Sequence, residues 1–122
     1  PERDGIFNGL LLLEMMAKRG KTLGQLSAEL DDEFGPHRYR RVDQRMTEQK
    51  KQAILARANA GVKELAGMPV IETSTVDGFK FFVDGGWLLI RASGTEPLLR
   101  FYAEANSTEN VDAILSAALS LG

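Results

Sequence analysis

Arg91 and Arg100 enclose the one stretch of this chain whose residue types suit an ionic ligand, Arg91-Ala92-Ser93-Gly94-Thr95-Glu96-Pro97-Leu98-Leu99-Arg100. Guanidinium forks bind phosphate oxygens in pairs. The hydroxyls of Ser93 and Thr95, with backbone N–H groups of a turn, form an anion-holding concavity. Gly94 allows the backbone to approach a ligand or to take a positive φ, and Pro97 fixes the exit. The stretch lies between two apolar, strand-like runs, Trp87-Leu88-Leu89-Ile90 before it and Leu99 to Ala105 after it. Ser-Gly-Thr is also ordinary turn chemistry. A phosphate cradle and a plain turn therefore both stand, and the two bracketing arginines favour the cradle.

Nothing near this loop would act on a bound phosphate. A serine nucleophile needs a base, and Ser93 has only arginines and Glu96 beside it, with the single histidine, His37, far along the chain. The spacing is not that of a nucleotide-binding G-x-x-x-x-G-K-[ST] loop, and the stretch joins two strands rather than a strand and a helix. The acidic cluster Glu29, Asp31, Asp32, Glu33 lacks the alternating oxygens and the glycine of a calcium loop, so it reads as a solvated helix end. With no cysteine and one histidine, thiolate metal sites, disulfides and a histidine-based metal set are excluded. The expectation is a chain with no catalytic and no metal-ligating residues of its own. Its loop orients a substrate by a phosphate handle while the chemistry happens elsewhere.

The bulk properties set the limits. A chain of 122 residues, 43% hydrophobic and 26% charged, has the profile of a soluble globular domain or the end of a larger one. A net charge of −2 argues against a general binder of nucleic acid or acidic membranes. The apolar run Leu10 to Leu13 is too short to span a bilayer, and no signal-peptide pattern opens the chain. Pro1-Glu2-Arg3-Asp4-Gly5 has no initiator methionine and leads straight into an apolar helix. The chain is accordingly read as cut out of something longer.

The elements that must position the loop follow from periodicity and punctuation. Asp4 to about Ala17 is a helix apolar around most of its circumference, ended by Lys18-Arg19-Gly20-Lys21. Its Met15-Met16 pair reads as core packing, or else as a partner surface. Thr22 caps a second helix with Leu23, Leu26 and Leu30 on one face. Gly35-Pro36 marks a junction, dividing the chain into 1–35 and 36–122. His37 to Asp43 is an extended, arginine-rich segment, either a protected edge strand or an RNA contact with Tyr39 stacking between basic groups.

Thr47 to Ala66 has a helical stripe of Ile54, Ala58, Val62 and Leu65, with Gly67 and Pro69 to end it. Extended pieces over 70–76, 79–83, 87–92 and 99–105 follow, the first three separated by Asp77-Gly78 and Asp84-Gly85-Gly86 and so antiparallel. A closing helix starts at Asn106 with Glu109 three residues on, and Val111, Ile114, Leu115, Ala118 and Leu119 form its stripe. The fold class is α+β, an antiparallel sheet with helices on one face, preceded by two helices.

Arg91-Ala92-Ser93-Gly94-Thr95-Glu96-Pro97 followed by Arg100-Phe101-Tyr102-Ala103-Glu104 closely resembles the C-terminal phosphate-binding loop of the α-D-phosphohexomutases, in the variant of bacterial phosphoglucomutase/phosphomannomutase. Arg3-Asp4-Gly5-Ile6 with Leu10-Leu11-Leu12-Leu13-Glu14 is similar to the helix that closes that family's third domain. The resemblance implies that 1–35 ends domain three and that 36–122 is the whole of domain four, a TATA-box-binding-protein-like α+β layer. It implies phosphate-holding roles for Arg91, Ser93, Gly94, Thr95 and Arg100, and structural roles for Glu96 and Pro97.

It further implies a parent enzyme that moves a phosphoryl group between O1 and O6 of a hexose through a bisphosphorylated intermediate. Magnesium and hexose 1,6-bisphosphate would serve that parent, held by loops preceding residue 1, and neither would be bound by residues of this chain alone. The implied partners are a phosphorylated hexose and domains one to three, with no nucleic acid and no membrane. The implied location is the cytoplasm. The helix over 5–17 is expected to drive self-association or to repack onto domain four.

Overall fold

A computed structural model describes residues 4–94 and 96–121. The elements in chain order are α1 (Gly5–Arg19), α2 (Leu23–Phe34), β1 (Arg38–Arg45), α3 (Glu48–Ala60), β2 (Glu64–Leu65), β3 (Met68–Pro69), β4 (Glu72–Ser74), β5 (Phe79–Val83), β6 (Gly86–Ala92), β7 (Leu98–Ala105) and α4 (Thr108–Leu119). Two compact units divide between Pro36 and His37.

In the first unit, Asp4 accepts the Phe7 N–H at 2.8 Å to open α1, and Gly20, at φ 61, closes it. Thr22 and Gln25 form a reciprocal capping box that starts α2. Arg19 and Lys21 both pair with Glu29, tying the end of α1 to α2. Of the stripe Leu23, Leu26, Leu30, only Leu26 is buried. No described residue of α1 is buried, and Ile6 is 81% exposed. Core packing for Met15-Met16 is therefore not what the structure has: Met15 is exposed and Met16 only half-covered.

The second unit is a five-stranded antiparallel sheet in the order β1-β7-β6-β5-β4, with β2 and β3 forming a separate small hairpin. One face of the sheet presents Phe81, Val83, Leu88, Ile90, Leu99, Phe101, Ala103 and Ala105, all buried. Ile54 and Ala58 of α3 and Val111, Ile114, Leu115 and Ala118 of α4 close over them. This is the helices-on-one-face α+β layer that the element pattern predicts. β1 is an edge strand that carries Arg38, Arg40, Arg41 and Arg45, and Arg40 reaches Asp112 on α4.

Two helix boundaries differ from the sequence reading. α3 ends at Ala60, because Gly61 adopts φ 95 and its N–H turns back to Ala58. Val62 and Leu65 continue the helical spacing by coincidence. Leu65 is buried from the small hairpin, whose two-residue turn is Ala66-Gly67, both at positive φ. α4 is capped by Ser107, not Asn106; its hydroxyl accepts the Asn110 N–H at 3.1 Å, while the Asn106 side chain bonds that of Asn110 at 2.8 Å. The expected strand over 70–76 shortens to Glu72–Ser74.

Candidate phosphate-binding face

Alternation along the strands turns one face of the sheet away from α3 and α4. On β7 the alternates Leu99, Phe101, Ala103 and Ala105 are buried, whereas Arg100, Tyr102 and Glu104 are half-exposed on the other side. The same phase puts Trp87, Leu89 and Arg91 of β6 and Lys80 and Phe82 of β5 on the open face.

The ladder places Arg91 directly opposite Arg100, and Asp43 directly opposite Arg100 on its other side. Three strands thus contribute one row of charge, Asp43–Arg100–Arg91, at the end of the sheet where the 93–97 loop turns. Two like charges across an antiparallel pair repel, and each arginine has a carboxylate of its own. Arg91 Nε lies 3.3 Å from Asp77 Oδ1, and Arg100 Nε lies 3.7 Å from Asp43 Oδ2. Among the described residues neither guanidinium makes a hydrogen bond, and the buried Nε of Arg100 is without one.

Asp43 is itself tightly held. Arg41 grips both of its oxygens, with Nε and Nη2 each at 2.6 Å. These two residues are two positions apart on a strand and so share a face. The hydrogen bonds from Arg41 hold the Asp43 carboxyl below the usual carboxylate range, against a smaller opposing cost of desolvation. The Asp43 bond likewise pushes Arg41 above its ordinary value. The Arg41 guanidinium also sits 5.4 Å from the centre of the Tyr102 ring, a cation–π contact.

The loop is pinned to this frame. Ser93 N–H donates to the Leu98 carbonyl at 3.2 Å and Leu98 N–H to that of Glu96 at 2.8 Å. The buried Ser93 hydroxyl accepts the Glu96 N–H at 3.3 Å. Glu96 Oε1 pairs with Arg45 Nη2 at 3.3 Å, and Pro97 accepts the Met46 N–H at 3.4 Å. Glu96 and Pro97 thus tie the loop to the end of β1.

Ser93, expected among the phosphate-holding groups, has its hydroxyl oxygen engaged in the turn. Gly94 does not use a positive φ, and the space where a Cβ would stand is open. Thr95 lies outside the described residues. Of the five residues singled out, the structure brings Arg91 and Arg100 side by side and sets Ser93 and Gly94 at the bend between them.

Sequence reasoning missed Arg41, Asp43 and Asp77. The Arg-x-Asp spacing on a strand was a readable signal for the first two. That Asp43 faces Arg100 depends on strand order, which local patterns do not encode. Asp77 was noted only as turn chemistry; the turn that carries it lies against Ile90 and Arg91.

The open face also gathers four aromatic rings, a feature that bears on nucleic-acid stacking. Lys80 lies over both Phe82 (4.8 Å) and Trp87 (4.1 Å), Arg41 over Tyr102 (5.4 Å), and Tyr39 tilts against Trp87 at 6.4 Å. Of these rings Tyr39 is 57% exposed.

Comparison with known proteins agrees with this architecture. Residues 41–120 match the family model described as phosphoglucomutase/phosphomannomutase, C-terminal domain. A phosphoglucomutase/phosphomannomutase of Thermococcus kodakarensis is 37% identical over 119 residues, covering 98% of this chain and 24% of its own length. A phosphoglucosamine mutase of Methanococcus aeolicus is 34% identical, covering 97% of this chain and 25% of its own. A crystal structure from Thermus thermophilus, described as a phosphomannomutase, aligns with a TM-score of 0.73 at 35% identity, over 99% of this chain and 22% of that one. The chain thus spans about a quarter of the length of the relatives it matches. With the family model matching 41–120 and relatives 34–37% identical across 97–98% of the chain, the chain belongs to the phosphoglucomutase/phosphomannomutase family and carries that family's C-terminal domain.

Proposed function

We propose that Arg91 and Arg100, with the backbone at Gly94 and the hydroxyl of Thr95, hold the phosphate of a phosphorylated hexose, and that Ser93 sets the bend between them. The observation that carries this reading is the direct cross-strand pairing of Arg91 and Arg100 beside the loop. Both guanidiniums approach their carboxylates at Nε, a geometry in which the Nη1–Nη2 edge can fork onto two phosphate oxygens.

The parent protein is then a phosphohexomutase that interconverts hexose 1-phosphate and hexose 6-phosphate through a bisphosphorylated intermediate. An intermediate that must turn over presents a phosphate from either end of the sugar. A site that reads phosphate and ignores the ring meets that demand. Phosphate binding here orients the substrate, and its free energy is used at a reacting centre outside these residues.

Magnesium, which the family implies, would neutralise phosphoryl charge in the parent enzyme. Among the described residues no three acidic or imidazole groups converge, and both oxygens of Asp43 are taken by Arg41. The described residues do not form such a site by themselves, and no step here is routed through the ion. Residues 1–35 are assigned to the end of the preceding domain, 36–122 to the phosphate-binding domain, and the remaining domains are the natural partners. No described helix is long and apolar enough to cross a membrane. Our reading, taken from the family resemblance, is a cytoplasmic parent without nucleic acid as a partner.

Titrating the chain with inorganic phosphate while following backbone amide shifts tests the site. Wild type should show shifts at 91–100 with a Kd of about 1 mM, roughly −4 kcal/mol. Arg91→Ala and Arg100→Ala should abolish them, and equal shifts in all three proteins would sink the assignment. The chain alone should not turn over glucose 1-phosphate.

A further inference from the structure

The geometry points to Asp43 as a positioning residue for the phosphate site, a carboxylate locked by Arg41 that fixes Arg100 from its Nε side. The inference rests on Arg91 and Arg100 being the phosphate ligands. It adds why a carboxylate, which repels phosphate, belongs within ion-pair distance of one of them.

Asp43 and Asp77 differ in kind. Asp77 sits on an exposed turn, its side chain 67% exposed, and lies 3.3 Å from Arg91 Nε. Asp43 is fixed in three ways. Its backbone is held in the β1–β7 ladder opposite Arg100. Both of its oxygens are gripped by the Arg41 fork. That fork is in turn seated on the Tyr102 ring, the next open-face residue of β7 after Arg100.

Tyr102, Arg41, Asp43 and Arg100 thus form a closed circuit, which returns to the strand it started from. Because Arg41 takes the strong hydrogen bonds of Asp43, the 3.7 Å contact with Arg100 orients that guanidinium without capturing it. A planar fork held along one edge is already aimed when a ligand arrives, so less of its rotamer freedom is lost on binding.

Simple charge and positioning predict opposite signs, which makes the inference testable on the chain itself. Removing a negative charge near the site should tighten phosphate binding if charge is all that matters. Asp77→Asn measures that effect and should tighten binding by no more than about twofold, as for other exposed pairs. Asp43→Asn should instead weaken inorganic phosphate binding about fivefold, the upper range for one solvent-accessible ion pair.

Arg41→Lys keeps the charge but loses the fork, and should weaken binding in the same direction even if Asp43→Asn fails to fold. A second readout is independent of ligand. The Arg100 Nε–Hε resonance should exchange slowly with water in wild type and Asp77→Asn, and broaden in Asp43→Asn and Arg41→Lys. Binding as tight as wild type in Asp43→Asn or in Arg41→Lys overturns the positioning role while leaving the phosphate site intact. Unchanged phosphate shifts in Arg91→Ala and Arg100→Ala would instead overturn the site, and the positioning role with it.

Discussion

A Cβ placed on Gly78 would stand 2.5 Å from the carbonyl oxygen of Ile90. The obstacle is backbone of a central strand, so it cannot swing aside, and Gly78 also adopts φ +102. This close approach seats the β4–β5 turn against β6 and brings Asp77 to Arg91. We expect Gly78→Ala to cost about 2 kcal/mol or more, from left-handed strain plus the clash. Urea unfolding measures it, and a change below about 0.5 kcal/mol, the usual range for surface substitutions, would contradict this account.

Gly61 provides a test by sign. Were the helix to continue to Ala66, Gly61→Ala would stabilise the chain by up to about 1 kcal/mol. With the helix ending at Ala60 and Gly61 at φ 95, alanine is strained there and should destabilise by about 1 kcal/mol. The midpoint of denaturant unfolding decides between the two.

The acid limb of stability should report Asp43. Its folded carboxyl is held below the ordinary range, chiefly by the Arg41 hydrogen bonds. A depressed folded pKa contributes stability above the unfolded value, about 3.9 for aspartate, which is lost as pH falls through the folded value. Wild type should therefore exceed Asp43→Asn by a constant margin from neutral pH to about pH 5. The margin should shrink below about pH 4. A margin unchanged throughout acid titration would refute the link.

The first helix should make the chain associate with itself. Ile6, Phe7, Leu10 and Leu13 are 81%, 55%, 59% and 59% exposed, an apolar surface of the sort that soluble monomers seldom leave uncovered. Sedimentation velocity should show association that rises with concentration and falls in Leu10→Glu/Leu13→Glu. A monomer at every concentration would exclude it.

Much of this was readable along the chain, for reasons that differ by element. The strands and both hairpin turns of the sheet were legible because apolar alternation and Asp-Gly pairs are local signals. The closeness of Arg91 and Arg100 was legible because both arginines flank one short loop. The true end of α3 was not, since Val62 and Leu65 keep the helical spacing after the helix has stopped; the competing signal was the φ freedom of Gly61. Arg41, Asp43 and Asp77 were missed because their partners are set by strand order and by turn packing. Both arise from long-range pairing.

The position of the arginines within the sheet has a consequence for how the site can fail. Arg91 and Arg100 lie on β6 and β7, and each of these strands is bonded to a neighbour on both sides. Opening either one means dismantling the centre of the sheet rather than fraying an edge, so the site should share the slowest hydrogen exchange in the domain. Substitutions deep in the core should then lower phosphate binding only through the fraction of molecules unfolded, leaving the affinity of the folded molecules unchanged.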